Sequence, residues 1–167
     1  MCGTRRARPS LPAANAKFTV RLGVCLATSE PGAIHLLNGL YDARLDGAPV
    51  LAITGMTYHD LIGTHYHQDA NTDYLFQDVA LFNQRIMSPA HVANLTNLVI
   101  RIALTHRGVA HITFQVDLQE AEAGSDKRSE KNIKGHAEAG FRLPVQVPLR
   151  ADLERAASFS GGLFGRP

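Results

Sequence analysis

Residues 22–50, LGVCLATSEPGAIHLLNGLYDARLDGAPV, constrain the fold more than any other stretch of this chain. They read as strand, tight turn, helix, loop and strand. Residues 22–27 are a short apolar run with a β-branched residue at Val24, the composition of a strand buried inside a parallel sheet. Ser29 offers a helix N-cap, and Pro31 sits where a first helical turn tolerates a residue without an N–H. From Ala33 the apolar residues Leu36, Leu37, Leu40 and Tyr41 share one helical face, until Gly47 ends the run just after Asp46. Residues 50–53 supply the next strand. A strand feeding a helix through a small-residue turn puts the helix N-terminus at the carboxyl edge of the sheet, where open α/β folds bind ligands.

The same rhythm continues downstream. Residues 59–69 are polar and irregular, a loop leaving the second strand. Residues 72–79 suit a short helix and residues 80–87 a third strand. Ser88-Pro89 opens the strongest helical pattern: Ser88 caps, Pro89 sits at N1, and Val92, Leu95, Leu98, Val99 and Ile102 line one face. Arg107-Gly108 closes it, with a cation in the last turn and a glycine at C′. Residues 109–116 form the fourth strand. Residues 119–136 are charged, small and aperiodic, a loop or linker, and the whole segment 119–148 is expected to be poorly ordered. Residues 152–157 open another helix that Ser160-Gly161-Gly162 ends at once. Strands separated by helical segments run parallel, so the expected fold is a three-layer α/β domain. Its mostly parallel sheet has about four strands, and residues 90–106 form its longest helix.

Composition acts mainly by exclusion. A chain of 167 residues, 45% hydrophobic and 19% charged, suits one domain plus a tail. A net charge of +2 gives no argument for a nucleic-acid partner, and the aromatic interleaving of a single-strand-binding surface is missing. The basic residues are scattered, apart from Arg5, Arg6 and Arg8 and the tail cluster Lys127, Arg128, Lys131 and Lys134. Cys2 and Cys25 lack the spacing of a disulfide framework or zinc site, and Cys25 reads as a small core residue. No apolar run approaches a membrane span. The acid-free, Arg-rich start carries two prolines and no amphipathic pattern, which argues against a targeting peptide and for a cytoplasmic location. His59, His65 and His67, with Asp60 and Asp69, match no recurrent ligand spacing, so no metal site is expected. No Gly-x-Ser-x-Gly elbow supports a hydrolase, and no glycine-rich loop is built to cradle phosphate.

Several ordered blocks point to a family. They are Ser29-Glu30-Pro31-Gly32, Asn38-Gly39-Leu40-Tyr41-Asp42-Ala43, Ala48-Pro49-Val50-Leu51-Ala52-Ile53-Thr54-Gly55, Gly63-Thr64 with Gln68-Asp69, and Arg107-Gly108-Val109-Ala110-His111-Ile112. Together, over residues 16–120, they resemble the pyrimidine-binding (PYR) domain of thiamine diphosphate enzymes of the pyruvate oxidase and acetolactate synthase group. The resemblance implies thiamine diphosphate as cofactor. It implies that Ser29, Pro31, Gly32, His35 and Gln68 face its aminopyrimidine end. His35 stands where the family carries Asn or His, Gln68 matches a glutamine reaching toward the reaction centre, and Glu30 replaces a glycine.

Two absences qualify what the resemblance implies. The family places a glutamate before the segment matching Ala16-Lys17-Phe18, where it hydrogen-bonds N1′ of the aminopyrimidine and promotes its imino tautomer. Here that register falls on Arg5 and Arg6, and no acidic residue precedes Glu30, so no catalytic residue is assigned. An arginine is always protonated and cannot accept that hydrogen bond. The family also binds the diphosphate through magnesium in a separate domain marked by Gly-Asp-Gly, which this sequence lacks. The Mg²⁺ therefore falls to another domain, and flavin binding is left open.

Residues 149–157 resemble the start of the family's central domain. The expected division is a non-matching basic segment 1–15, a partial PYR domain 16–120 truncated at its N-terminus, a linker 121–148, and a broken-off central domain 149–167. Three readings follow: a PYR domain working with partners that supply the missing parts, a catalytically dead relic, or an interaction module using the family's dimerisation surface. A homo- or hetero-oligomer through the PYR face is expected. The missing N-terminal strand would leave residues 22–27 as an open edge, making the chain poorly soluble, oligomeric or partner-dependent.

Overall fold

The computed structural model describes residues 10–122, 128–132 and 147–163. Four strands, β1 (Gly23–Ala27), β2 (Val50–Met56), β3 (Phe82–Arg85) and β4 (Val109–Gln115), form one sheet in the order β1-β2-β4-β3, and every neighbouring pair is parallel. The helices are α1 (Ser10–Thr19), α2 (Pro31–Leu45), α3 (Thr72–Leu75), α4 (Pro89–His106), α5 (Val116–Glu120) and α6 (Arg150–Leu163), with one 3₁₀ turn at His59–Leu61. No helix among the described residues is long and apolar enough to cross a membrane.

Alternation along the strands splits the core in two. On one face Cys25, Val50, Ala52 and Val109 pack against Ala13 and Ala16 of α1, Leu36 and Leu40 of α2, and Phe76 and Val79 beyond α3. On the other, Leu51, Ala110 and Ile112 pack against Leu95, Val99 and Ala103 of α4. The expected three-layer parallel fold is what the chain adopts. From β2 to β3 the chain crosses on the α2 side, and from β3 back to β4 it crosses on the α4 side. Reversing direction and face together lets both crossovers keep one hand.

α4 covers β4 and β2 but leaves that side of β1 open. Val24 and Leu26, which point that way, are 52% and 75% exposed. Among the described residues β1 is also an edge, hydrogen-bonded only to β2. Among the described residues no strand covers the edge that the sequence led us to expect at residues 22–27.

Several local expectations need correction. Ser29 does not cap α2: the capping position is Glu30, without a side-chain cap bond. Nor does Ser88 bond through its side chain at the head of α4. The buried stripe of α4 is Leu95, Val99 and Ala103, spaced four apart on one face, while Leu98 lies off that face and is 45% exposed. The left-handed residue closing α4 is Arg107 (φ 51°) rather than Gly108, and its Nε donates to the Gly47 carbonyl at 3.3 Å. Tyr41 is exposed, and its hydroxyl donates to Asp78 Oδ2 at 2.8 Å. α6 runs through Ser160-Gly161-Gly162 to Leu163 instead of stopping there. A glycine lowers helix propensity by about 1 kcal/mol without forbidding the helix. Most of the loose segment expected over residues 119–148 lies outside the described residues; its start, through Glu120, is helical as α5.

Candidate functional site at the carboxyl edge of the sheet

The loops leaving β1, β2 and β4 meet at the carboxyl edge. A cleft of about 580 Å³ opens there on the α4 side, with Leu26, Ile53 and Phe114 as an apolar floor and Thr28, Ser29 and Gln119 as a polar rim. The loop after β1 lies against the backbone of β2 at Gly55, where a Cβ would stand 3.1 Å from the Ser29 nitrogen. A side chain at position 55 would push the two loops apart.

Of the residues singled out from sequence, Ser29 and Gln68 come together. The Ser29 hydroxyl donates to Gln68 Oε1 at 3.0 Å, a part-buried bond joining the loops after β1 and β2. Ser29 also lines the cleft. Pro31 and Gly32 form the first turn of α2; Pro31 is exposed and Gly32 half-buried. His35 is exposed one turn further on, its Nδ1 2.5 Å from the Pro31 carbonyl, so its ring bonds within the helix. Glu30, between the two groups, holds φ 45° and ψ −93°.

The loop from Tyr58 to Asp69 is held by its own bonds. Asp69 Oδ2 accepts the Gly63 N–H at 2.8 Å, and the Asp69 N–H donates to the Tyr66 carbonyl at 3.1 Å. His59 is tied to α5: Asp117 Oδ2 lies 2.5 Å from its Nδ1, and Asp117 Oδ1 accepts its backbone N–H at 3.2 Å. Burial alone would raise the Asp117 carboxyl, but the hydrogen bonds from the His59 ring and from backbone N–H groups outweigh it and hold it below its usual range. Among the described residues no three of His, Cys, Asp or Glu converge on one point.

Two further polar groups escaped the sequence reading. Gln115, opposite Met56 at the ends of β4 and β2, is 4% exposed, and its Oε1 has no hydrogen-bond partner among the described residues. Burial of a polar atom without a partner is costly. The only available signal was a polar residue ending an apolar strand. His111 is fully buried mid-strand, stacked on Phe76 with ring centroids 3.8 Å apart. Its Nδ1 lies 2.7 Å from Asn83 Oδ1, and its Nε2 2.8 Å from the Thr54 hydroxyl. Asn83 Nδ2 donates to the Asp73 carbonyl, so its Oδ1 is the end that accepts from His111. The ring is the neutral Nδ1–H tautomer with both nitrogens satisfied, a structural strut beneath the site.

Residues 12–75 match the family described as thiamine pyrophosphate enzyme, N-terminal TPP binding domain. They belong to it. The PYR domain matches relatives well beyond that stretch. The Bacillus subtilis protein YdaP, whose name calls it thiamine pyrophosphate-containing, is 47% identical over 106 residues, covering 64% of this chain and 18% of its own length. The pyruvate oxidase of Lactiplantibacillus plantarum is 40% identical over 106 residues, with the same two shares. The acetolactate synthase large subunit of Corynebacterium glutamicum is 31% identical over 147 residues, 87% of this chain and 22% of its own. The chain thus spans about a fifth of the length of these three relatives.

The residues present fit one half of that family's cofactor. An apolar-floored cleft with a hydroxyl and amide rim suits a flat, polar-edged ring. The diphosphate–metal half finds no matching donor set among the described residues.

Proposed function

We propose that this chain supplies the aminopyrimidine-facing half of a thiamine diphosphate site in a pyruvate oxidase-like or acetolactate synthase-like enzyme acting on 2-oxo acids. The other half, with the diphosphate and its magnesium, comes from a further domain or chain in a homo- or hetero-oligomer. One observation carries the reading: within the family's blocks, the loops after β1 and β2 are joined by Ser29 and Gln68 at the carboxyl edge. Ser29, Pro31, Gly32, His35 and Gln68 are the cofactor-facing residues. Residues 16–120 act as the PYR unit, 121–148 as linker and 149–167 as the start of a central domain.

Bound thiamine diphosphate supplies carbanion chemistry at the carbonyl carbon of a 2-oxo acid. This chain's part is to receive the ring in a cleft floored by Leu26, Ile53 and Phe114 and to orient it through amide and hydroxyl groups. It offers no carboxylate before Glu30 to exchange a proton with a ring nitrogen. A positioned acid–base group is typically worth a factor of about 10² to 10⁴.

Calorimetry with thiamine diphosphate and magnesium, run beside a pyruvate decarboxylation assay, tests the reading. Weak binding and no detectable turnover are expected of the chain alone. Arg6→Glu should not rescue turnover, because the diphosphate would remain unanchored. Micromolar affinity with robust turnover by the isolated chain would overturn the division of labour.

A further inference from the structure

β1 presents its edge in a fixed phase. The Gly23 N–H donates to the Pro49 carbonyl at 2.9 Å, so Gly23, Cys25 and Ala27 turn their backbone groups to β2. The N–H and C=O groups of Val24 and Leu26 therefore face the side of β1 on which the described residues place no strand. These two residues also carry the exposed apolar side chains on the α4 side. Apolar exposure continues on the other face of the strand, where α1 packs Ala13 and Ala16 against β1 and α2. On the opposite side of α1, Leu11 and Phe18 lie seven residues apart on one helical face and are 64% and 89% exposed. The ends of the segment carry opposite charges: Arg21 precedes the strand and Glu30 follows it. Neither has an ion-pair partner among the described residues.

We propose that the β1 edge is a homodimer interface: two copies of this chain join antiparallel about a two-fold axis at Cys25, making one eight-stranded sheet from two four-stranded ones. The second copy is the occupant because the edge is complementary to itself. Centred on Cys25, the whole of each five-residue strand lies against the other. Val24 then stands opposite Leu26 of the second copy, once on each side of the axis, as hydrogen-bonded pairs whose side chains meet on the α4 side. Cys25 faces its counterpart as the non-hydrogen-bonded pair, which its backbone bonds to β2 require. Arg21 comes toward Glu30 of the second copy at each end; exposed pairs of this kind add little energy but fix orientation. A parallel pair would put Val24 on the same face as Cys25 of the second copy and gather like charges at each end. The two α1 helices come side by side over the joined strands, each bringing Leu11 and Phe18. Closure about a two-fold axis uses the β1 edge of both copies, so association through this surface stops at the dimer. Leu26 belongs to the cleft floor, and Val24 of the second copy extends that floor. The dimer stands or falls independently of the cofactor reading.

The test uses the full chain. Sedimentation should find a dimer. Val24→Pro removes an N–H that faces the edge, so it leaves the β1–β2 ladder whole and deletes two bonds across the axis, one from each copy. It should raise the dimer dissociation constant by roughly tenfold or more, the loss expected for two hydrogen bonds. Cross-linking reads the register, in a Cys2→Ser background with the linked residues identified by mass spectrometry. Val24→Cys and Leu26→Cys chains, unfolded together, refolded and mildly oxidised, should form a disulfide between positions 24 and 26. Neither variant alone should, because in this register each position is diagonal to its own counterpart. The cross-link decides the matter if Val24→Pro does not fold. A wild-type monomer at the highest soluble concentration would overturn the interface, and so would a dimer undiminished in a folded Val24→Pro. Cross-linking by Val24→Cys alone, with none in the mixture between 24 and 26, would overturn the register.

Discussion

Glu30 holds φ 45° with ψ −93°, at a position where the resembled family carries glycine. A left-handed φ costs a residue with a Cβ roughly 1–2 kcal/mol. Replacement by glycine returns about 0.4–1 kcal/mol of that through the freer unfolded chain. Glu30→Gly should therefore raise the melting temperature by a few degrees, and a lowered melt would show that the carboxylate has a compensating partner. His111 makes the second prediction at this scale. Burial pushes its imidazole down to about 3, against about 6.5 in the unfolded chain. Above pH 6.5 neither state binds the proton and the group has no effect. As pH falls from 6.5 toward 3, the unfolded chain takes up a proton that the folded one refuses. Stability should then drop by about 1.4 kcal/mol per pH unit. Urea midpoints at pH 7 and pH 5 measure this, and His111→Gln, which cannot titrate, should flatten the slope. Equal slopes would assign the acid sensitivity elsewhere. Single residues were legible from sequence where their partners are local. Pro31 and Pro89 occupy first turns because φ and the missing N–H decide that within one residue. Ser29 was misread as a cap because its actual partner lies 39 residues away, in a loop whose position no local pattern records.

α1 is attached through small contacts that the sequence did not advertise. Ala13 and Ala16 are buried against α2 and β1, and Lys17 pairs with Asp42 at 2.7 Å and with Asp46 at 2.5 Å. At Gly23, a Cβ would lie 2.3 Å from the Pro12 carbonyl oxygen, a backbone atom that cannot swing aside. Gly23→Ala should lift α1 from β1 and cost about 1–3 kcal/mol in a denaturant titration. Gly108→Ala should cost less, because its Cβ meets the end of the half-exposed Leu81 side chain. Similar losses for the two would mean that α1 yields easily. β1 itself carries no charge, proline or bulge along its free edge, the devices that usually discourage strand addition. Val24→Lys places a charge on its open face outside the cleft. It should shift the purified chain toward smaller species in light scattering, and an unchanged size distribution would assign self-association to another surface. Elements were legible in proportion to their length and burial. The 18-residue α4 declares itself by periodicity, whereas the four-residue β3, paired on one side only, was expected to run over 80–87. The rotation of α4 about its axis was missed because Leu98 and Ala103 exchange the places that hydrophobicity alone would give them.

For the molecule as a whole, alternating strands and helices were enough to imply a three-layer parallel fold, since chain connections leave few other solutions. The neighbour order was not legible, because strand periodicity says which face is buried but not which strand lies alongside. The cofactor-facing half can be tested at this scale by mixing. Adding, as a separate chain, a family domain that carries the diphosphate–magnesium site should increase thiamine diphosphate binding severalfold in calorimetry but leave pyruvate turnover near background. Full turnover in the mixture would mean that some other group replaces the missing acid. The strand order has a consequence of its own for synthesis. β4 lies between β2 and β3, so β3 has no sheet neighbour until residues 109–115 have left the ribosome. At about 5–20 residues per second, the intervening stretch takes on the order of seconds to appear. During that interval β1, α2 and β2 can already associate, while Phe82 and Ile86 wait uncovered beside a nascent α4. A chaperone arriving in that window would find its binding site there, and a slowly translated codon run just after β4 would leave the insertion time to finish.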